Sequence, residues 1–471
     1  MHHAVAKQVV IVSVCISHLF LTEPIALGLI ERGHNVTYIT SVECKPRIEK
    51  LGASIYGNAR WNYVPDNAVG ILSLIYLSKQ LINMNDIACQ EVRDLVIFTK
   101  PDLILSDYFT SAVGVVAEKF NVPFAILHFG MMDISTKDNE RLSLQTTVGI
   151  DDEKSALTKL ISQSATAFVN YLAFSTISES ANRMRKQLQM SYFFSSYCHL
   201  AVNYPSFTLL NADYQRSFKA ENVTCLGIIP YDLPPMPLPD KVSKFLSESV
   251  NDVIYVAFGS ELRPDYEMHK AIMSFFSKHK EGRIIYARYP YEDEIKTLPP
   301  HILAEKYIAQ RSILMNKKMK IFLSHCGLNS AIEAIEAEVV VICLPLGRDQ
   351  FFMSKGLVDL EMGVEVKRPI NEDNIRKAFE LANGRHTTFL KNIQSQKRIL
   401  YGMGGLNRIE KFMDEHAMKS TRIYRDSPIR IIHRVVAVCF LSTPFILILM
   451  ILFIIWKCFS GHFSKAKDKI S

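Results

Sequence analysis

Five prolines in ten residues, Pro230-Tyr231-Asp232-Leu233-Pro234-Pro235-Met236-Pro237-Leu238-Pro239, leave no room for a helix or a central strand. The break falls near the middle of 471 residues, a length that suits two domains of roughly 200 residues each rather than one core. An N-terminal domain, 1–229, a linker, 230–240, and a C-terminal domain, 241–418, follow. Both sides carry one theme. Residues 9–16, VVIVSVCI, read as a buried parallel strand, Pro24 to Glu31 as a helix, Arg32-Gly33 as its stop and Val36 to Thr40 as a second strand. Leu103-Ile104-Leu105, a helix around Ala112 to Phe120 and Phe124-Ala125-Ile126-Leu127 repeat the pattern. Beyond the linker it restarts with Val253 to Phe258, Ile284-Ile285-Tyr286, Ile321-Phe322-Leu323 and Val339 to Leu344. Such alternation predicts an α/β fold of two doubly wound parallel sheets facing across a cleft, where ligands of these sheets bind. The less regular stretches 55–100 and 130–215 are expected to wall a pocket.

A second constraint lies near the end. From Val435 to Trp456 no charge interrupts the apolar run, and about 20 such residues at 1.5 Å rise span a hydrocarbon core of about 30 Å. A transmembrane helix over 435–456 and a basic tail, 457–471, are expected, with membrane lipid as a partner. Basic residues bracket the run, Arg430 and Arg434 before it and Lys457, Lys465, Lys467 and Lys469 after it, and the charge rule leans toward a cytosolic C-terminus. The net charge of +7 is also concentrated there: Lys419 to Ser471 holds nine Lys/Arg against two Asp/Glu, leaving a neutral body. A body without net positive charge excludes nucleic acid as a partner. The nine cysteines are scattered singly, without a CxxC pair, and decide neither metal binding nor redox compartment.

Chemistry concentrates in Ser324-His325-Cys326-Gly327-Leu328-Asn329-Ser330-Ala331-Ile332-Glu333, which follows a strand and opens an apolar helix. Free N–H groups and the dipole at a helix start favour phosphate oxygens, and His, Asn and Ser side chains can add donors. The plain alternative is an Asn/Ser helix cap with a neighbouring histidine. His18, just past the first strand, and Asp107, just past another, stand at the strand ends where the catalytic groups of such sheets collect. His34 serves as contrast: it lies in a turn after a helix and reads as structural.

The 324–333 stretch resembles the donor signature of the UDP-glycosyltransferase family, in which an aromatic residue and Gln precede a His-x-Gly-x-Asn-Ser-x-x-Glu block that leads to Asp-Gln. Tyr307 and Gln310 precede His325, and Asp349-Gln350 follow Pro345 at the family's spacing. Phe258-Gly259-Ser260, Arg32-Gly33-His34 with Val36-Thr37, and the C-terminal apolar run extend the resemblance over nearly the whole chain, in the manner of the membrane-anchored animal members. The resemblance implies a GT-B fold and inverting transfer of a sugar, with glucose favoured, from a UDP-sugar donor to a hydroxyl of a small lipophilic acceptor. Carried over by position, Tyr307 covers the uracil ring, Gln310 meets the base edge and Glu333 the ribose hydroxyls. His325, Asn329 and Ser330 hold the diphosphate, with Gly327 and Ser260 beside them, and Asp349 and Gln350 bond the sugar. His18 becomes the general base and Asp107 the carboxylate that orients it. Neither metal nor cofactor is expected, since Glu292-Asp293-Glu294 reads as a solvated helix face.

Several positions depart from the family pattern. Tyr307 and Ala309 stand where tryptophan and proline are usual, which predicts weaker stacking and a looser loop. Glu338-Val339-Val340 replaces Gly-Val-Pro and predicts altered helix-to-strand geometry. Arg348 is either a surface cation, the favoured reading, or a partner for a glucuronate carboxylate. Strand one begins about eight residues from Met1 without a separate signal segment, so a luminal enzyme of the endoplasmic reticulum requires an upstream signal that this sequence lacks. Lys467-Asp468-Lys469-Ile470-Ser471 resembles a dilysine retrieval pattern, and Asn222-Val223-Thr224 is a glycan acceptor sequence; both favour the lumen. Self-association stays open. The rivals are a non-catalytic membrane protein that keeps a nucleotide-sugar pocket and an epimerase of the same fold.

Overall fold

The computed structural model describes residues 6–13, 16–57, 71–128, 176–190, 206–208, 223–230, 236–250, 252–259, 263–279, 282–290, 295, 297–347 and 350–415. The first half is a parallel sheet in the order β3-β2-β1-β4-β5-β6-β7. Its strands are β1 (Gln8–Val12), β2 (Asn35–Ile39), β3 (Ser54–Tyr56), β4 (Leu103–Asp107), β5 (Phe124–His128), β6 (Ser206–Thr208) and β7 (Val223–Cys225). β4 and β5 are buried at every position, which is why they read as unbroken apolar runs rather than alternating ones. Alternate residues feed two cores. Val9, Ile11, Leu103 and Leu105 join one cluster, and Val10, Val12, Ile104 and Ile126 the other.

Element ends differ from the sequence reading. The run 9–16 is strand only to Val12, and the helix expected from Pro24 already begins at Ile16 and runs to Glu31 with Pro24 inside it. Proline removes one N–H bond there, but the helix buries Leu19, Ile25, Ala26 and Leu29 completely or nearly so, and that packing outweighs the lost bond. The helix expected over Ala112 to Phe120 is a 3₁₀ segment, Tyr108–Val113, followed by an α-helix, Gly114–Phe120.

The second half repeats the architecture in the order β10-β9-β8-β11-β12-β13, again parallel. These strands are β8 (Val253–Ala257), β9 (Arg283–Ala287), β10 (Ile302–Glu305), β11 (Met319–Ser324), β12 (Val340–Cys343) and β13 (Gly363–Glu365). Of the linker, 231–235 lie outside the described residues, and Asp240 already opens the helix Asp240–Ser247.

Glu338 corrects an expectation. Losing glycine was expected to change the geometry after the Leu328–Ala337 helix, yet Glu338 adopts the left-handed conformation itself, at φ +59°. Lys397 Nζ and Gln394 Nε2 hold its carboxylate at 2.8 and 2.9 Å.

The last described helix, Gly405–Glu415, returns to the first half. Leu406 lies against Gly28, Glu410 pairs with Arg32 and meets His34 Nε2 at 3.1 Å, and Asp414 pairs with Lys7. His34 Nδ1 accepts from Lys7 N–H, so Nε2 carries the proton and donates to Glu410. That buried histidine is structural, as the sequence suggests. Among the described residues no helix is long and apolar enough to cross a membrane. The run 435–456, the tail, Asn222 and Glu292-Asp293-Glu294 lie outside them.

Candidate active site

Two strand ends bring His18 and Asp107 together. Asp107 closes β4 and His18 lies in the first turn of the helix after β1, and β1 and β4 are direct neighbours. Asp107 Oδ2 stands 2.6 Å from His18 Nδ1. Its other oxygen accepts from Phe109 N–H at 2.9 Å and so caps the following turn. Asp107 is wholly buried while His18 keeps about a fifth of its side chain exposed. The carboxylate thus places the ring proton on Nδ1 and leaves the lone pair on Nε2. Phe109 stacks on the imidazole, with centroids 5.4 Å apart and planes within 7°.

Sequence reasoning missed His128, which ends β5 beside Asp107. It is buried, its ring packs on Tyr108 at 4.9 Å, and its Nε2 has no hydrogen-bond partner among the described residues. Burial pushes its pKa down to about 4, against a weaker opposing pull from Asp107. A neutral His128 leaves the carboxylate's charge to His18.

In the second half, β11 ends at Ser324 and Gly327 caps the Leu328–Ala337 helix. His325 is seated between two glycines. A Cβ at Gly259 would stand 2.7 Å from its Nε2, and one at Gly327 2.8 Å, so both positions exclude a side chain. The sequence flagged Gly259 only as part of a motif. The imidazole hydrogen-bonds the Ala257 backbone, and burial lowers its pKa to about 4 although part of the residue still reaches the surface. Its Nδ1 has no partner among the described residues. Nδ1 of the neutral ring carries a lone pair, so beside this helix N-terminus it donates to an anion only when the bound anion's charge favours the protonated ring.

Cys326, buried between His325 and Gly327, is disulfide-bonded to Cys343 at the end of β12, with Cα atoms 5.4 Å apart. This bond was not read from the sequence. It fastens the turn to the neighbouring strand while Cys326 sits at φ +58°.

Gln310 Nε2 donates to Ser330 Oγ at 2.9 Å and to Glu333 Oε2 at 2.6 Å, joining three of the expected donor-site residues. Burial raises the Glu333 pKa to about 7, the Gln310 bond opposes it, and Glu336 adds to it. Tyr307 exposes 63% of its surface, which leaves a ring face open to a planar partner. Asn329 lies in the helix's first turn with Ser330. Gln350 is buried and its Oε1 accepts from the N–H groups of Leu346 and Gly347. Ser260, Arg348 and Asp349 lie outside the described residues.

The Ile16–Glu31 helix that carries His18 touches the Leu328–Ala337 helix that carries Asn329, Ser330 and Glu333. The arrangement offers a base on one side and an anion seat on the other.

The family model for "UDP-glucoronosyl and UDP-glucosyl transferase" matches residues 79–378. An ecdysteroid UDP-glucosyltransferase of Lymantria dispar multicapsid nuclear polyhedrosis virus is 30% identical over 187 residues, 37% of this chain and 35% of that protein. UDP-glycosyltransferase UGT4 of Dactylopius coccus is 23% identical over 419 residues, 81% of this chain and 79% of that one. The first three relatives are matched over only 26% to 35% of their length. Among solved structures, the glycotransferase of kitacinnamycin superposes with a TM-score of 0.65 at 17% identity, covering 87% of this chain and 99% of its own. A UDP-glucosyltransferase from Polygonum tinctorium gives 0.63 at 16% identity, covering 88% and 100%. These likenesses establish the two-domain glycosyltransferase fold, and with a family model spanning most of the chain, the protein belongs to the UDP-glucoronosyl and UDP-glucosyl transferase family.

Proposed function

We propose that this chain transfers a sugar, glucose, from a UDP-sugar to a hydroxyl of a small lipophilic acceptor, with inversion at the anomeric carbon. The observation that carries the reading is the 2.6 Å contact between His18 Nδ1 and Asp107 Oδ2. With Nδ1–H held by the carboxylate, Nε2 takes the acceptor's proton as its oxygen attacks the anomeric carbon. The carbon–oxygen bond to UDP breaks and both its electrons leave with the diphosphate. The start of the Leu328–Ala337 helix, with His325, Asn329 and Ser330, stabilises that charge. Asp107 stabilises the imidazolium that forms. No covalent enzyme intermediate, metal or cofactor takes part. Glucose is favoured because several relatives are called UDP-glucosyltransferases and because a carboxylate site for glucuronate would rest on Arg348 alone.

The membrane reading belongs to the same proposal: Val435–Trp456 anchors the enzyme and the domains face the lumen of the endoplasmic reticulum. The Cys326–Cys343 disulfide supports it, since such bonds persist in oxidising compartments. Membranes carrying the full chain, incubated with labelled UDP-glucose, labelled UDP-glucuronate and a panel of phenols and steroids, provide the test. A glycosylated product from UDP-glucose is expected. UDP binding without any transfer would return the chain to the non-catalytic reading.

A further inference from the structure

Three large apolar side chains are exposed at one edge of the first sheet. Ile97 and Phe98, 52% and 81% exposed, end the long helix Ile71–Thr99, and Phe120, 37% exposed, ends Gly114–Phe120. These helices lead into β4 and β5, which are parallel neighbours. All three residues therefore lie where the strands begin, opposite the edge that holds His18 and Asp107. Exposed Lys100 and Lys119 adjoin them. The acidic groups nearby are engaged: Asp102 accepts from Gln8 N–H and Glu118 pairs with Arg185.

The described chain ends at this same edge. Along the Gly405–Glu415 helix the contacts descend from Gly28 to Arg32 and His34 and finally to Lys7, the residue before β1. Gln8 O in turn accepts from Asp102 N–H at 2.8 Å, two residues beyond Lys100. The helix end and the Phe98 turn are thus a few contacts apart. Between Glu415 and the apolar run lie residues 416–434, with five Lys/Arg and one Asp. Fully extended, the 19 residues 416–434 span at most about 65 Å, so the apolar run starts within that distance of the helix end. The strand-start edge lies within that reach. The cleft edge lies across the sheet from it.

We propose that this edge, centred on Ile97, Phe98 and Phe120, docks on the lipid bilayer that receives Val435–Trp456. The aromatic and aliphatic side chains enter the interfacial layer while Lys100 and Lys119 extend their ammonium groups to lipid phosphates. The cleft then opens away from the membrane. The inference rests on the membrane anchor and is independent of the transfer reaction.

Full-length protein is placed in phosphatidylcholine/phosphatidylserine vesicles, with and without bromine-labelled acyl chains, after Trp61→Phe and Trp456→Phe remove background fluorescence. Phe98→Trp and Phe120→Trp are introduced one at a time. Tyr266→Trp, at the start of the helix after β8, is the control. Several-fold stronger quenching at positions 98 and 120 than at 266 is expected, and Ile97→Asp should reduce it at both. Protein that sediments with vesicles but shows no quenching at 98 and 120 overturns the docking while leaving the anchor intact. A blue-shifted, unquenched signal at 98 assigns the patch to a second copy of the chain and overturns it too. Protein that stays in solution removes anchor and docking together, whatever its transferase activity.

Discussion

Gln310 Nε2 donates a 2.6 Å hydrogen bond to Glu333 Oε2, so the amide expected on the base and the carboxylate expected on the ribose are coupled before any ligand arrives. The Glu333 pKa of about 7 lies above its ordinary value of 4.5 mainly because burial penalises the charge.

The sign of the effect on stability follows. Between pH 4.5 and 7 the folded state holds more protons than the unfolded one, so stability falls as pH rises through that window. Glu333→Gln should therefore be more stable than wild type at pH 8, by on the order of 2 kcal/mol, and lose the advantage near pH 4. UDP affinity should move the other way, because only an ionised carboxylate accepts from both ribose hydroxyls. Thermal melts at the two pH values and calorimetry at pH 8 check the pair; a variant that binds UDP as wild type does would remove Glu333 from the site.

The disulfide carries a second expectation. Cys326 and Cys343 are 17 residues apart, and closing a loop of that size stabilises by about 3 kcal/mol in the chain-entropy picture. Cys326→Ser/Cys343→Ser should be less stable by roughly that amount, read as a lower urea midpoint. It should also bind UDP more weakly, because the turn that seats His325 loses its tie to β12. Wild-type protein unfolded with a dithiol reductant should approach the variant. Equal UDP affinity in both forms would make the bond a staple without influence on the site.

Glu338 tests backbone and side chain separately. A β-carbon in the left-handed region costs roughly 1–2 kcal/mol, and here Lys397 and Gln394 offset part of it. Glu338→Ala keeps the cost and loses the contacts, whereas Glu338→Gly loses both. The glycine variant should therefore be about 1 kcal/mol more stable than the alanine variant, as read by chemical denaturation. Alanine equal to glycine would mean that the turn relaxes when the carboxylate is gone.

What the sequence discloses follows burial. β4 and β5 were legible because strands buried on both faces leave continuous apolar runs. The start of the His18 helix was not, since Ile16 prolongs the apolar run of β1 and Pro24 mimics a helix start. His18 and Asp107 were singled out at strand ends and by the resemblance, the Gln310–Ser330–Glu333 group by the resemblance's spacing, and the structure brings each set within hydrogen-bond distance. Gly259 and the Cys326–Cys343 pair are tertiary facts: one admits an imidazole from a distant turn, the other requires β11 and β12 to be neighbours. The same holds for His128, an ordinary strand residue until β5 is laid beside β4.

The His18–Asp107 pair should behave as one unit. A neutral imidazole accepts the acceptor's proton only when the other nitrogen's proton is fixed and the resulting charge is stabilised, and Asp107 does both through its 2.6 Å contact with Nδ1. His18→Ala should abolish transfer while leaving UDP affinity nearly unchanged, because the donor groups lie in the other half of the chain. Asp107→Asn should slow transfer by several orders of magnitude, since an amide supplies no charge and can favour the wrong tautomer, as in the serine-protease triad. The loss should lie in kcat more than in KM. Asp107 also caps the Tyr108–Val113 turn through Phe109 N–H, so thermal melts must accompany the kinetics; the asparagine side-chain oxygen can still accept that bond, which keeps the fold as a control. The double variant His18→Ala/Asp107→Asn should be little worse than His18→Ala alone, because without the base there is nothing for the carboxylate to orient. Losses that multiply would show that Asp107 acts apart from His18, and transfer at the wild-type rate in His18→Ala would end the proposed mechanism.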